Sequence, residues 1–133
     1  MRSTSRIAMV MLAGAAIGAL AVQGLHAQAK PPIYYVAEID VTNPEAYAKE
    51  YAPKAQALIK AAGGRFLAIG GAAATGGKVT AFDGDVPKRV VVQSWESIDK
   101  IRAWRATPEY VELRKVGEKY AKFRSFSVEG LPE

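Results

Sequence analysis

The stretch IYYVAEIDV at Ile33–Val41, followed by TNPE at residues 42–45, decides the fold of this chain. In the first nine residues, every second side chain is apolar, whereas the positions between them include Glu38 and are less apolar. This period of two is typical of a strand with one buried face. Asn43 before Pro44 indicates a helix start, because asparagine caps helices and proline is tolerated at the first helical position. The stretch therefore predicts a strand that leads directly into a helix.

The first helix is predicted over residues 44–62 from its apolar spacing, and it ends at Gly63 and Gly64 because glycine readily adopts a left-handed stop. Pro53 lies inside this helix and cannot donate a hydrogen bond to the Lys49 carbonyl. The sequence therefore predicts a kink, or a helix that starts afresh, near Pro53.

The rest of the chain predicts further strands and a second helical region. Strands are expected at residues 65–69, 88–95 and 123–129, with a brief additional strand at 78–82. GGAAATGG at residues 70–77 is too small and glycine-rich to pack a core, so a flexible loop is expected there. Ser97 caps one predicted helix, and Thr107 before Pro108 caps the next helical piece.

The resulting order βαββαβ predicts an α+β fold of the ferredoxin-like, split-βαβ type. In this fold an antiparallel sheet carries its helices on one face and leaves the other face open. Tyr34, Val36 and residues of the third and fourth strands make that open face too apolar for water. Burial against a second copy is the simplest remedy, so a homodimer is expected.

The first 29 residues read as a secretory signal peptide. Arg2 and Arg6 precede an uncharged apolar run at residues 7–22, and Ala27-Gln28-Ala29 is a small-residue cleavage site. Sixteen residues span about 24 Å as a helix, less than a bilayer core of about 30 Å, which favours removal over anchoring. Residues 30–133 are then a single domain that is periplasmic or secreted and has no stable membrane span. Cleavage after Ala27 remains an alternative to cleavage after Ala29.

Removal of this segment restricts the chemistry. The chain has no cysteine, its only histidine is His26, and its three methionines lie at positions 1, 9 and 11. The mature chain therefore lacks histidine, methionine and cysteine, which excludes a histidine base, a catalytic triad and a thiolate or imidazole metal site. No cofactor or metal is expected. Without Arg2 and Arg6 the net charge falls from +5 to about +3, which does not indicate nucleic-acid binding.

Glu38 and Tyr34 are the candidate catalytic residues. Glu38 lies mid-strand on the less apolar face, where Arg89 or Gln93 of the third strand and Glu129 of the fourth could approach it. A half-buried carboxylate beside a tyrosine could act as a general acid or base. The alternative is a partly exposed ion pair worth at most about 1 kcal/mol.

Arg89, Trp104 and Glu129 are the candidate ligand-binding residues. Several aromatic side chains could line a pocket for a flat organic ligand together with Trp104. At helical and strand spacing such rings are otherwise part of a core or an interface. The basic residues between Lys100 and Arg124, among them Arg114, are interleaved with acidic ones and are explained by a solvated helix face. The aromatic residues concerned are Tyr34, Tyr35, Tyr47, Tyr51, Trp95, Trp104 and Tyr110.

The segments YYVAEIDVTNPEAYAKEYAP, GGRFLAIGG, PKRVVVQSWES and AWRATPEY together resemble a bacterial domain-of-unknown-function family, number 1330, of the dimeric α+β barrel superfamily. The likeness covers nearly all of residues 33–130. It implies a ferredoxin-like subunit whose sheet faces that of a second copy and encloses a small cavity, and it implies no settled reaction. Ile69 stands where the family usually has an arginine, and Trp95 where it usually has phenylalanine.

Two functions remain open from the sequence. The first is an exported protein that binds, or transforms without metal, a small organic molecule in a cavity between the sheets of a homodimer. The resemblance implies this function, since superfamily relatives use such cavities for small aromatic or polyketide-like substrates. The alternative is a non-catalytic dimeric envelope protein with a structural or partner-binding role. The sequence does not decide whether the protein is an enzyme.

Overall fold

A computed structural model describes residues 30–71 and 76–132 of the chain. Within it, Pro32–Gly130 forms one compact unit. The predicted signal peptide at residues 1–29 lies outside the described residues, as does the middle of the predicted glycine-rich loop, residues 72–75.

In its described residues, the compact unit contains four strands and two helical regions, whose order confirms the predicted βαββαβ arrangement. The first helical region comprises a short helix, a π-helical turn and a longer helix. The bounds along the chain are β1 Ile33–Val41, α1 Pro44–Ala46, the π turn Tyr47–Tyr51, α2 Ala52–Ala61, β2 Arg65–Gly71, β3 Arg89–Trp95, α3 Ile98–Ala106, α4 Pro108–Tyr120 and β4 Ala121–Glu129.

The four strands form one antiparallel sheet in the order β2-β3-β1-β4. This is the ferredoxin-like α+β fold expected from the sequence. Side chains of β1 alternate between buried and half-buried from Ile33 to Ile39, as the period of two predicts. The buried positions face the helices, and we call this side of the sheet the helix face and the other side the open face.

The helix starts follow the predicted caps. The Asn43 side chain accepts a hydrogen bond from the Ala46 amide at 3.2 Å. Ser97 accepts from the Lys100 amide in the same way. Thr107 caps α4, and its hydroxyl also donates to the Trp104 carbonyl at 2.7 Å, which fixes the angle between α3 and α4. Each cap satisfies an amide that the helix itself leaves unpaired.

The predicted irregularity near Pro53 is confirmed as a π-helical turn at Tyr47–Tyr51. The Ala52 amide donates to the Tyr47 carbonyl, five residues back instead of four. Pro53 has no amide hydrogen, so the regular ladder cannot continue through it, and α2 begins one residue before it. The turn therefore adds a residue to the first helical region at the point where that region covers the sheet.

The segment at residues 78–82 is not a strand, contrary to the prediction. A single parallel bridge between Gly70 and Gly77 is formed instead. The Gly77 amide donates to the Ile69 carbonyl at 2.7 Å, and the Gly71 amide donates to the Gly77 carbonyl at 3.0 Å. Gly71, the last residue of β2, adopts a φ of +117°, a conformation that favours glycine.

The open face carries apolar side chains at its centre, as expected. Val36 of β1 lies between Val92 of β3 and Phe126 of β4. Phe126 is 42% exposed and Val128 55% exposed. The homodimer that would cover them stays a prediction. Among the residues that the structure describes, no helix has the length and apolar character required to cross a bilayer.

Candidate functional site

A cavity of about 40 Å³ lies between the helix face of the sheet and the helices. Aromatic rings, aliphatic side chains and a few polar groups form its wall. The lining residues are Tyr35, Ala37, Ile39, Tyr47, Tyr51, Ala52, Ala55, Gln56, Ile59, Phe66, Arg89, Val91, Gln93, Trp104, Tyr110, Arg114, Phe123 and Ser125. A water molecule needs about 10–15 Å³ on this measure, so the cavity has room for about three water-sized groups.

Three tyrosines from the helices form one wall of the cavity. The hydroxyls of Tyr51 and Tyr110 lie 3.1 Å apart and share a hydrogen bond. Burial raises the pKa of Tyr51 far above its ordinary value, and the neighbouring Tyr110 raises it further. Burial also raises the pKa of Tyr47, and this effect exceeds the opposing one of Arg89. At neutral pH the hydroxyls of Tyr47 and Tyr51 are therefore uncharged hydrogen-bond donors and acceptors.

The π turn and a glycine place two of these rings. Tyr47 and Tyr51 are both in the turn, and their ring centres lie 5.2 Å apart. Tyr51 reaches the cavity across Gly117 of α4, where a Cβ atom would come within 2.7 Å of two of its ring carbons. Only glycine at position 117 therefore allows the Tyr51 ring to lie where it does, which explains a glycine in the middle of a helix.

Arg89 is the most deeply buried cation that the structure describes. It begins β3 on the helix face opposite Ile39, and only 4% of it is exposed. Its guanidinium carbon lies 5.4 Å from the centre of the Tyr47 ring. Within the described residues its Nε has no hydrogen-bond partner and it forms no salt bridge. Since Tyr47 is protonated at neutral pH, it does not neutralise this charge.

Arg114 is a second cation at the cavity. Its guanidinium carbon lies 3.8 Å from the centre of the Phe123 ring, and its Nη1 donates to the Tyr110 hydroxyl at 3.3 Å. Its Nε donates to the Glu118 carboxylate at 3.2 Å. Its place in a run of interleaved charges predicts a solvated helix face. The structure instead turns its side chain back over Phe123 of β4, while the carboxylate of Glu118 compensates its charge.

Trp104 lines the cavity, and Trp95 packs behind it. The rings of Trp95 and Trp104 are stacked, with centres 5.3 Å apart and planes 26° apart. Trp95 Nε1 donates to the Gln93 side-chain oxygen at 2.8 Å. Trp104 Nε1 is buried and has no partner among the described residues. An indole N–H normally finds an acceptor when it is buried, so Trp104 Nε1 is an unsatisfied donor on a residue that lines the cavity.

The five residues selected from the sequence lie in three different places. Arg89 and Trp104 line the cavity. Tyr34 and Glu38 lie on the open face, because their parity along β1 is opposite to that of the buried residues. Glu129 lies opposite Ile33 at the far end of β4 and is exposed. No single site therefore contains all five.

The residues next to Glu38 in the structure also differ from those expected from the sequence. Val90 of β3 and Arg124 of β4 lie opposite Glu38, whereas Arg89 points to the helix face and Glu129 pairs five residues away along β1. Arg124 Nη1 donates to the Glu38 carboxylate at 3.0 Å. Both side chains are substantially exposed. This is the ion pair that the sequence analysis gave as the alternative, and a catalytic role of Glu38 and Tyr34 stays a prediction.

Sequence reasoning did not assign the polar wall of this cavity to a site. Gln93 and Arg114 were given no ligand role, and Tyr51 and Tyr110 were treated mainly as core residues. The cavity lies within one subunit, under the helices. A chamber between the sheets of two subunits lies on the opposite side of the sheet and stays a prediction. Among the described residues no cluster of three or more acidic or histidine side chains could hold a metal ion.

The model of a domain-of-unknown-function family, DUF1330, matches residues 32–131. The chain belongs to this family. The match covers the whole compact unit, including both walls of the cavity, and agrees with the resemblance seen in the sequence. No curated protein matches the chain.

Solved structures share the fold at low sequence identity. A protein of unknown function from Rhodopseudomonas palustris is 18% identical, with a TM-score of 0.56 over 77% of this chain and 84% of its own. SnoaB, a cofactor-independent oxygenase from Streptomyces nogalater, is 16% identical, with a TM-score of 0.52 over 77% of this chain and 99% of its own. A Bacteroides thetaiotaomicron protein described as a possible oxidoreductase is 14% identical, with a TM-score of 0.50 over 77% of this chain and all of its own.

Proposed function

We propose that this protein is exported and binds a small organic molecule in the cavity between its sheet and its helices. One observation carries this proposal: two buried donors on residues that line the cavity, Arg89 Nε and Trp104 Nε1, have no partner among the described residues. A fold gains nothing from buried donors that remain unpaired, whereas a ligand that accepts hydrogen bonds would satisfy them.

The aromatic wall supports an organic ligand. Tyr47, Tyr51, Tyr110 and Trp104 present ring faces and edges to the cavity, together with polar atoms that can orient a bound molecule. SnoaB, on the same fold, is described as a cofactor-independent oxygenase, and this supports small-molecule chemistry as a proposal for the present chain.

The volume of the cavity limits what it encloses. About 40 Å³ accommodates a polar head group of a few atoms, so a larger ligand must extend out of the cavity. Gln56 and Ser125 line the cavity and are partly exposed, which marks where it meets solvent. The π turn forms part of the cover, and such turns are frequent at functional sites.

The cavity is better equipped for binding than for proton abstraction. Among its described lining residues there is no carboxylate and no histidine, and burial raises the pKa of Tyr47 and Tyr51, so these two are protonated at neutral pH. The guanidinium and hydroxyl groups could stabilise an oxyanion that develops on a bound ligand. Metal-independent turnover would have to use these donors, and ligand binding is the function we propose first.

We further propose that two copies pair through their open faces. Phe126 and Val128 are exposed there around the central valines, and a second copy would remove them from water. A non-catalytic dimeric envelope protein is the second candidate function. The small volume of the cavity favours it, since ligand sites are commonly about 300–1,000 Å³.

The experiment that tests ligand binding is native mass spectrometry of the mature protein from the cells that produce it naturally. We expect a mass above that of the bare protein and an organic molecule in the denatured extract. The matched control is the double variant Arg89→Met and Trp104→Phe, which should lose the extra mass. A bare mass for the natural protein, together with no binding from a library of neutral and charged fragments, would contradict the proposal.

A further inference from the structure

The cavity carries positive charge without an internal counter-charge. Two guanidinium groups, Arg89 and Arg114, line it, and none of its described lining residues is an aspartate or a glutamate. Arg114 has the carboxylate of Glu118 at 3.2 Å. Arg89 has no acid within salt-bridge distance among the residues that the structure describes. Burial of an unpaired charge is unfavourable, so the buried charge of Arg89 lacks the anion that would stabilise it.

The unpaired polar atoms are also all of one kind. Arg89 Nε and Trp104 Nε1 are donors, and neither a guanidinium nor an indole can accept a hydrogen bond. The side-chain oxygen of Gln93, a strong acceptor at the wall, is already used by Trp95. A molecule that completes this site must therefore bring acceptor atoms, and at Arg89 it must also bring negative charge.

We propose that the ligand is an organic anion whose carboxylate, or an equivalent planar oxyanion, binds at Arg89. This inference rests on the proposed function and names the ligand class for the same cavity. Arginine suits such a group because its planar fork matches the two oxygens of a carboxylate. The room for about three water-sized groups also matches the carbon and two oxygens of one carboxylate.

The positions of the two free donors indicate how the remainder of the ligand is oriented. Arg89 lies opposite Ile39, whereas the Trp104 ring packs edge-on against Tyr35, with centres 5.6 Å apart. Ile39 and Tyr35 are four residues apart on one strand, which is about 13 Å. The anionic group therefore binds at one end of the cavity, and a second acceptor on the ligand, or a water molecule, would be needed to reach Trp104.

The test compares isosteric charged and neutral probes on the full mature protein. Benzoate with benzamide, and propionate with propionamide, are titrated while the arginine Nε–H and tryptophan Nε1–H resonances are followed by NMR. We expect each carboxylate to shift the Arg89 Nε–H signal and to bind at least about tenfold more tightly than its amide, because the amide is uncharged and offers one acceptor oxygen instead of two. Sodium chloride at equal ionic strength should not reproduce the shift.

Three variants separate the possible results. Arg89→Met should abolish the preference for carboxylates, Arg89→Lys should retain part of it, and Arg124→Met, which changes an exposed arginine of the open face, should leave it unchanged. Equal binding of amide and carboxylate would overturn the anion assignment and leave the proposed function standing. An equal shift with chloride would mean an adventitious ion only. Failure of every probe to shift a cavity resonance would overturn the assignment as well, and the fragment library would then decide the proposed function.

Discussion

Replacement of Arg89 by methionine tests whether this residue stabilises the fold or is present to bind a ligand. In the folded protein the side chain is 4% exposed and its Nε has no partner within the described residues. An unpaired buried donor costs about 1–3 kcal/mol, and more when it is charged. The contact with the Tyr47 ring at 5.4 Å offsets about 0.5–2 kcal/mol of this. Methionine fills similar space without a charge to desolvate.

We therefore expect the ligand-free Arg89→Met protein to be more stable than the wild type by about 1 kcal/mol. For a unit of this size, such a gain raises the Tm by about 4–8 °C. Urea and thermal unfolding, followed by circular dichroism at one fixed protein concentration, measure the difference. The concentration must be fixed and ligand removed, because dimer formation and bound ligand both shift the apparent stability.

Arg114→Met is the contrasting variant. Arg114 lies 3.8 Å from the Phe123 ring centre and donates to Glu118 and Tyr110, so its loss should lower the free energy of unfolding by about 1 kcal/mol. The two substitutions should thus change stability in opposite directions. A loss of more than 1 kcal/mol in Arg89→Met would refute the reasoning, since Arg89 would then be a structural residue.

Three further predictions concern the cavity wall and the open face. Gly117→Ala should lower the free energy of unfolding by about 1 kcal/mol, because the added Cβ would overlap the Tyr51 ring, although alanine favours helices. Urea unfolding measures this loss, and the near-ultraviolet circular dichroism of the tyrosines reports the displaced ring. Burial raises the pKa of Tyr51 and Tyr47, so their contribution to the free energy of unfolding should be fully present below pH 10. Above pH 10 the free energy of unfolding should fall by up to about 1.4 kcal/mol per pH unit for each ring. A Tyr51→Phe protein should lose stability less steeply at alkaline pH, and an unchanged slope would disprove the raised pKa of Tyr51. Val92→Lys should convert the proposed dimer to a folded monomer in sedimentation velocity, whereas Gln56→Lys on the helical side should not.

The sequence was sufficient for the fold because its local signals agree with one another. The alternation in β1, the caps at Asn43, Ser97 and Thr107, and the interruption before Pro53 each act over a few residues, and each is found in the structure. The predicted strand at 78–82 is wrong, because its pattern is short and no strand among the described residues pairs with it. A strand is stabilised by its neighbours, and in the part of the chain that the structure describes only Gly77 forms a bridge to β2.

The cavity was harder to predict because it depends on contacts between distant segments. Both faces of β3 carry valine, because Val90, Val91 and Val92 follow one another along the strand. The sequence pattern of β3 therefore does not indicate on which face Arg89 lies. Arg114 lies among charged residues of α4, and only its approach to Phe123 across the fold places it at the cavity. The cavity itself arises where Tyr51 crosses Gly117, which is a tertiary contact with no signal in local sequence.

The glycine bridge beside β2 has a consequence for self-association. β2 and β4 are the two edges of the sheet, and an exposed edge is a template for the strand of another molecule. Gly77 occupies backbone groups of Ile69 and Gly71 on the β2 edge, and a bulge between Phe66 and Ala68 distorts the remainder. Addition of one molecule's β4 to the next molecule's β2, which would propagate as a filament, is thereby blocked. Two β4 edges could still join, and such a pair closes after two molecules.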